Sequence, residues 1–250
     1  MLNYRVTGDG FPVVLLHGYM ESLRMWDGLF DELSQLSFWS VDLPGHGDTP
    51  LVGEEMEPSV DWFASQLFDF LNEMGIENCH LVGHSMGGYV ALQLKKRAPQ
   101  RIRKVVLLNS HPWEDSPVKK SDRLRVAEIA FKAKSLFIQQ AIPALFYDSD
   151  SFTLQINQLI QDANNMTPDA IAYAALAMRN REDTSDVVKR YNEQLLFIQG
   201  KYDPLIPCDR LVEFAKLNQL KLIVLEKCGH MAHLEEPINV KNSIQSFLVE

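Results

Sequence analysis

The sequence is poor in cysteine, has fewer cations than anions, and contains no long apolar run. Its three cysteines, Cys79, Cys208 and Cys228, are odd in number and widely separated. That excludes a disulfide framework and any cysteine spacing suited to a metal, and the residues are expected to stay thiols. The first apolar stretch, Phe11 to Leu16, is too short to span a bilayer and lacks the basic flank and cleavage site of a secretory signal. A cytoplasmic protein without membrane insertion is expected. The 24 Lys+Arg residues against 33 Asp+Glu leave a formal net charge of -9. Such a balance repels a polyanion and argues against nucleic acid as a partner. Internal repeats, low-complexity tracts and long Gly/Ser linkers are also missing, so no segment is expected to swing free.

What is present is an ordinary globular composition, 46% hydrophobic and 23% charged over 250 residues. A chain of this length buries roughly 70% of the surface it exposes when unfolded, enough for one large core with a deep pocket. Short β-branched runs alternate with longer stretches of helical spacing, the pattern of a mostly parallel sheet covered by helices on both faces. The expected strands are Val13 to Leu16, Phe38 to Asp42, Cys79 to Val82, Val105 to Asn109, Leu195 to Gln199 and Lys221 to Leu225. Each is too apolar to leave one face in water. Leu2, Tyr4 and Val6 alternate like a half-buried edge strand, and the Gly8-Asp9-Gly10 turn is expected to return that strand toward Val13, with antiparallel pairing. Helices are expected over Leu23 to Leu36, Ser59 to Met74, Met86 to Arg97, Asp209 to Leu217 and Pro237 to Leu248. From Ser110 to Arg190 the pattern turns wholly helical. Residues 1–109 and 191–250 thus read as an α/β core, and 110–190 as a helical cap inserted in it.

Gly83-His84-Ser85-Met86-Gly87 follows an apolar strand and opens a helical run. A serine on such a tight strand-to-helix turn stands above the sheet, and small neighbours permit the strained backbone and the close packing of helix on strand. A neutral hydroxyl is a weak nucleophile and needs a base to take its proton and an anion to orient that base. Asp203 lies in Gly200-Lys201-Tyr202-Asp203-Pro204, just past a strand, and His230 lies in Cys228-Gly229-His230 after the next one.

These three motifs, in the chain order Ser85, Asp203, His230, resemble the α/β-hydrolase family, and more narrowly its serine esterase and lipase-like branch with a helical cap. The resemblance implies Ser85 as nucleophile, Asp203 as acid and His230 as base, since His230 matches the family's Gly-His-x-x-x-x-Glu-x-Pro pattern where His233 does not. Leu16-His17-Gly18-Tyr19 resembles the family's His-Gly oxyanion loop, so the N–H groups of Tyr19 and Met86 are the expected oxyanion donors, at about 3 kcal/mol each. His17, His84 and His46 are read as scaffold. The N-terminus leaves room for one strand before Val13, so a sheet of about seven strands is expected, not the family's full eight.

The reaction implied is hydrolysis of a small carboxylic ester through an acyl-serine, with no cofactor and no metal. The same constellation serves thioesters, lactones, carbon–carbon bonds, perhydrolysis and cyanohydrins, because fold and triad do not set the reaction. Ser85 disfavours the dehalogenase and epoxide-hydrolase relatives, which use an aspartate nucleophile. A different class, a slow ligand sensor whose cap recruits a partner, is distinguished by the absence of rapid turnover on a simple ester. The cap residues Phe131, Phe137, Phe146, Tyr147, Phe152, Met166, Tyr173 and Met178 are candidates for shaping the substrate, with His111 and Trp113 at the pocket mouth. The early cap also carries Lys119, Lys120, Arg123, Arg125, Lys132 and Lys134 with only Asp122 and Glu128 among them. Such a face suits an anionic substrate or an acyl carrier protein, as in the pimeloyl carrier-protein methyl ester esterases that this chain resembles in fold, but a solvated helix face is the favoured reading.

Overall fold

The computed structural model describes residues 1–30, 35–52 and 57–249. Its strands are β1 (Tyr4–Thr7), β2 (Phe11–Leu16), β3 (Leu36–Val41), β4 (Cys79–His84), β5 (Ile102–Leu108), β6 (Leu195–Gly200) and β7 (Lys221–Leu225). They form one seven-stranded sheet in the order β1-β3-β2-β4-β5-β6-β7, parallel except for β1. The helices are α1 (Val60–Glu73), α2 (Met86–Arg97), α3 (Pro117–Lys132), α4 (Lys134–Ala141), α5 (Thr153–Asn165), α6 (Pro168–Asn180), α7 (Ser185–Arg190), α8 (Cys208–Asn218), α9 (Ala232–Glu235) and α10 (Pro237–Val249).

Both faces of the sheet are buried, which is why the strand sequences are continuously apolar. Phe63, Leu67, Phe70 and Leu71 of α1 and Val90, Leu92 and Leu94 of α2 cover one face, and Val240, Ile244, Phe247 and Leu248 of α10 cover the other. Helices α3 to α7 all lie between β5 and β6, and α3 to α6 with their connections build a third apolar cluster, in which Ile138, Ile156, Met166 and Ile171 meet Met20 and Met231 from the loops beneath. The inserted helices are therefore packed down on the sheet's C-terminal edge. Among the described residues, no helix is long and apolar enough to cross a membrane.

Two expectations are corrected. β1 is antiparallel, but it pairs with β3 (Tyr4 opposite Val41, Thr7 opposite Phe38) and not with β2. Both edges of β2 are taken by β3 and β4, so β1 occupies the free edge beyond β3, where Tyr4 and Val6 face outward and Tyr4 stacks on Trp39 at 5.6 Å. Among the described residues of the expected helix from Leu23 to Leu36, helical structure is limited to a 3-10 turn at Leu23–Trp26, and Leu36 begins β3. Gly28, at φ 74°, takes the chain out of right-handed geometry soon after that turn, and residues 31–34 lie outside the described residues.

Candidate active site

Ser85 joins β4 to α2 at φ 48° and ψ -111°, a backbone that L-residues rarely adopt. The turn is held because its neighbours are small. A Cβ on Gly83 would meet the backbone of Gly87 and Gly88 at 2.5 Å, and one on Gly87 would meet the Leu16 carbonyl at 2.5 Å. The Ser85 N–H donates to the Leu108 carbonyl at 2.9 Å, and the Ser110 hydroxyl donates to the Ser85 carbonyl at 2.8 Å. Met86 opens α2, in the first turn where helix geometry leaves N–H groups without an intrahelical acceptor.

Asp203 follows β6 and is buried. Its Oδ1 accepts the N–H groups of Leu205 (2.8 Å) and Ile206 (3.1 Å). Its Oδ2 accepts Nδ2 of Asn109 and Nε2 of Gln199, both at 3.0 Å, and lies 2.7 Å from Nδ1 of His230. Burial pushes this carboxyl up, but the charge and hydrogen bond of His230, then the Asn109 and Leu205 donors, outweigh it and hold the group at about 2. Asp203 is therefore ionised at neutral pH, with both oxygens occupied by donors.

The loop after β7 carries His230. The Glu235 carboxylate accepts Gly229 N–H at 2.8 Å and Met231 N–H at 3.3 Å, which accounts for the glutamate in the Gly-His-x-x-x-x-Glu-x-Pro pattern. Asn109 also donates to the Gly229 carbonyl at 3.0 Å, and the His230 N–H donates to the Leu145 carbonyl of the inserted helices at 2.7 Å. His233 is buried, with neither ring nitrogen bonded to another described residue, and burial lowers it to about 3.

Ser85 and His230 border one cavity of about 380 Å³, together with Tyr19. Its apolar wall includes Phe137, Val126, Leu145 and Met178 from the inserted helices and Ile206 and Met231 from the loops below. Tyr19 reaches into those helices, its hydroxyl donating to the Ile171 carbonyl at 3.1 Å. Of the ten substrate candidates named from sequence, Phe137 and Met178 line this cavity, and the other eight lie off its wall. His111 is buried between Tyr89 (Oη to Nε2, 3.2 Å) and the ring of Trp113, and Trp113 packs on Phe214 under Arg210. Phe146 stacks on Phe152 and Tyr173 meets Trp62 and Phe63, while Phe131 is 61% exposed on the outer face of α3.

The cationic run at the start of the insertion is largely neutralised. Lys120 pairs with Glu114, Arg123 with Asp115, Arg125 with Asp122 and Lys132 with Glu128. Lys119 donates to the Leu205 carbonyl, and Lys134 donates to the carbonyls of Asn164 and Met166. Glu114 and Asp115 stand just before the window in which the acidic residues looked scarce.

Beneath the cavity, His17 scaffolds the loop after β2: its Nε2 accepts Leu43 N–H at 2.9 Å and its Nδ1 donates to the Gly18 carbonyl at 2.7 Å. Glu21 is a residue the sequence reading passed over. It is buried, and its Oε2 accepts Gly18 N–H at 2.6 Å and faces Nδ1 of His84 at 2.8 Å. Asn109 and Gln199 were passed over as well. An amide at each of two strand ends was the available signal, since a buried carboxylate needs donors from the strands beside it.

A mostly parallel sheet carrying a strained serine turn after β4, with a buried aspartate–histidine pair from the loops after β6 and β7, defines the α/β-hydrolase class of protein. Residues 12–237 match the alpha/beta hydrolase fold family, and the chain belongs to it. A thermophilic esterase from Thermogutta terrifontis, solved with malate bound, superposes with a TM-score of 0.91 at 28% identity, covering 99% of this chain and 93% of that one. An abhydrolase domain-containing protein of Schizosaccharomyces pombe is 25% identical over 260 residues, covering 95% of this chain and 92% of that protein. A pimeloyl-[acyl-carrier protein] methyl ester esterase of Aeromonas hydrophila is 40% identical over 106 residues, a match that spans 42% of this chain and 40% of that one. The chain is thus a hydrolase-family protein with esterase-like structural neighbours.

Proposed function

We propose that the chain hydrolyses carboxylic esters through an acyl-Ser85 intermediate. One observation carries this reading: His230, held by the ionised Asp203 at 2.7 Å, borders the same cavity as the serine of the strained turn. In the first half-reaction His230 takes the Ser85 proton as Oγ bonds to the ester carbonyl carbon. The N–H groups of Tyr19 and Met86 receive the charge that develops on the carbonyl oxygen. The tetrahedral adduct collapses, His230 gives its proton to the leaving alcohol, and the acyl group stays on Ser85. Water, deprotonated by the same imidazole, then attacks the acyl carbon and releases acid and free serine. Asp203 stays ionised and stabilises the imidazolium through both halves.

The apolar wall and the cavity volume of about 380 Å³ favour a small aliphatic or aromatic acyl group. Likeness to the T. terrifontis esterase over nearly the whole chain supports an ester over the thioester, lactone and carbon–carbon alternatives. Residues 110–190 serve as the cap that shapes this pocket, and 1–109 with 191–250 as the catalytic core. With the early cap's cations engaged by partners, a small-molecule ester is favoured over an acyl carrier protein, and the machinery requires neither cofactor nor metal.

The test is a panel of acyl esters and thioesters of graded chain length, with intact-mass detection of an acyl adduct and Ser85→Ala as control. Multiple turnover on short esters, with an adduct that Ser85→Ala cannot form, is expected. Absence of hydrolysis across the panel, or undiminished hydrolysis by Ser85→Ala, overturns the assignment.

A further inference from the structure

We infer that Glu21 is a positioning residue for this hydrolysis: one carboxylate oxygen sets the oxyanion loop at Gly18 and, through His84, the backbone of His230. The inference rests on the roles proposed above for Ser85, His230 and the Tyr19 N–H. Glu21 lies two residues beyond Tyr19, in the loop after β2. Its Oε2 accepts Gly18 N–H at 2.6 Å, directly before the peptide that carries the Tyr19 donor. The same oxygen lies 2.8 Å from Nδ1 of His84, and Nε2 of His84 lies 2.9 Å from the His230 carbonyl. His84 immediately precedes Ser85. One bridge therefore ties the loop after β2, the end of β4 and the loop after β7, the three segments that must keep register for a proton to move and an oxyanion to be met.

The bridge also has a defined charge. A carbonyl and a carboxylate both accept, so His84 satisfies its two partners only with a proton on each ring nitrogen. Glu21 and His84 thus form a buried ion pair. Burial pushes the Glu21 carboxyl up, but the charge and hydrogen bond of His84, with smaller contributions from His233 and the Gly18 N–H, hold it at about 2. Burial lowers His84, and the charge and hydrogen bond of Glu21, then the His230 carbonyl, reverse this and raise it. The titratable groups around the pair are His17 on the β2 loop, His46 on the loop after β3, His230 and Asp203 on the strand-end loops, and His233 on α9, whose ring centroid lies 5.2 Å from that of His84. Glu21 itself borders the cavity. An uncompensated carboxylate there would oppose negative charge on the substrate oxygen, and the His84 cation cancels it where the oxyanion forms.

The experiment compares wild type, Glu21→Gln, Glu21→Asp, His84→Gln, Glu21→Gln/His84→Gln and Ser85→Ala on one p-nitrophenyl ester, with unfolding curves run alongside. Misplacing an oxyanion donor or a base by an ångström costs on the order of a hundredfold, so kcat of Glu21→Gln should fall about 10- to 100-fold while KM moves less than about threefold. Glu21→Asp, which keeps the charge, should recover part of that loss. His84→Gln should lose more, because it strands the carboxylate, and the double variant should be no slower than His84→Gln. Nitrogen-15 NMR of the wild type at neutral pH should show one imidazolium with both ring nitrogens protonated, absent from folded Glu21→Gln. A folded Glu21→Gln with kcat within about threefold of wild type, losses that multiply in the double variant, or a wild type without that imidazolium overturns the inference. The NMR reading stands even if a variant fails to fold. Hydrolysis retained by Ser85→Ala would instead overturn the proposed reaction, leaving the imidazolium as a separate reading of the bridge.

Discussion

Nδ1 of His230 lies 2.7 Å from Oδ2 of Asp203, across 27 positions of chain. The other donors to that oxygen are Asn109, just past the end of β5, and Gln199 of β6. Asp203→Asn preserves the shape but removes the charge, and an amide nitrogen facing Nδ1 enforces the wrong tautomer. Ester turnover should fall by up to about ten-thousand-fold with the fold intact. Steady-state kinetics with circular dichroism checks this; a near-normal rate would mean that another carboxylate serves.

Ser85 pairs reactivity with backbone strain. Ser85→Ala should lose turnover by as much as about a million-fold while remaining folded. At φ 48°, a side chain with Cβ is held against its preference, so Ser85→Gly should be about 1 kcal/mol more stable than Ser85→Ala in urea unfolding. Equal stability of the two would show that the surrounding contacts, not the dihedral, set the energy of this turn.

His230 and His233 are three residues apart and both pack near the His84 ring, but of the two only His230 meets a carboxylate. Replacing His230 by alanine should be about as damaging as replacing Ser85, whereas His233→Leu should retain most turnover, because His233 has no hydrogen bond to another described residue. A reversed ranking in kcat/KM would move the base to His233.

The Glu21–His84 pair gives stability a defined pH dependence. Glu21 is depressed from 4.5 to about 2, so its contribution is complete above about 4.5 and is lost as pH falls through about 2. His84 is raised from 6.5, so its contribution is complete below about 6.5 and is lost as pH rises through its folded value. The stabilisation by the pair should therefore be greatest between about pH 4.5 and 6.5. Subtracting the unfolding free energies of Glu21→Gln from those of wild type, from well below pH 4.5 to well above pH 6.5, should show that plateau with a fall on either side, and a difference that stays level through both ends would count against a charged pair.

Phe137 and Phe131 lie six residues apart, one on the cavity wall and one on the outer surface. Phe137→Ala enlarges the pocket and should shift kcat/KM toward longer acyl chains by about tenfold relative to acetate, whereas Phe131→Ala should leave the chain-length profile unchanged. A matching shift in both variants would mean that cap packing at large, not the wall, selects the acyl group.

Much of the fold was legible because it is encoded by local period and turn chemistry. Apolar runs marked β2 to β7 within a few residues, and helical spacing located α1, α2, α8 and α10. The glycines around Ser85, the aspartate after β6 and the Gly-His before α9 could be read because the constraint on each lies within a few neighbouring residues. Tertiary structure decided the rest. Tyr4 and Val6 have the same pattern whether they pair with β2 or β3, and only the occupied edges of β2 send them to β3. Helical spacing within the insertion marks which residues are apolar but not which apolar face turns to the cavity, so Phe137 and Met178 line it while Phe146 and Tyr173 pack elsewhere. Glu21 and His84 are 63 residues apart, and no local pattern announces that one carboxylate will meet the other's imidazole. The sequence alone determined most of the elements, the segment after Leu23 excepted, and which chemical groups end them; the packing of distant elements against one another decided which of those groups meet, because burial and hydrogen-bond partners are properties of neighbours in space.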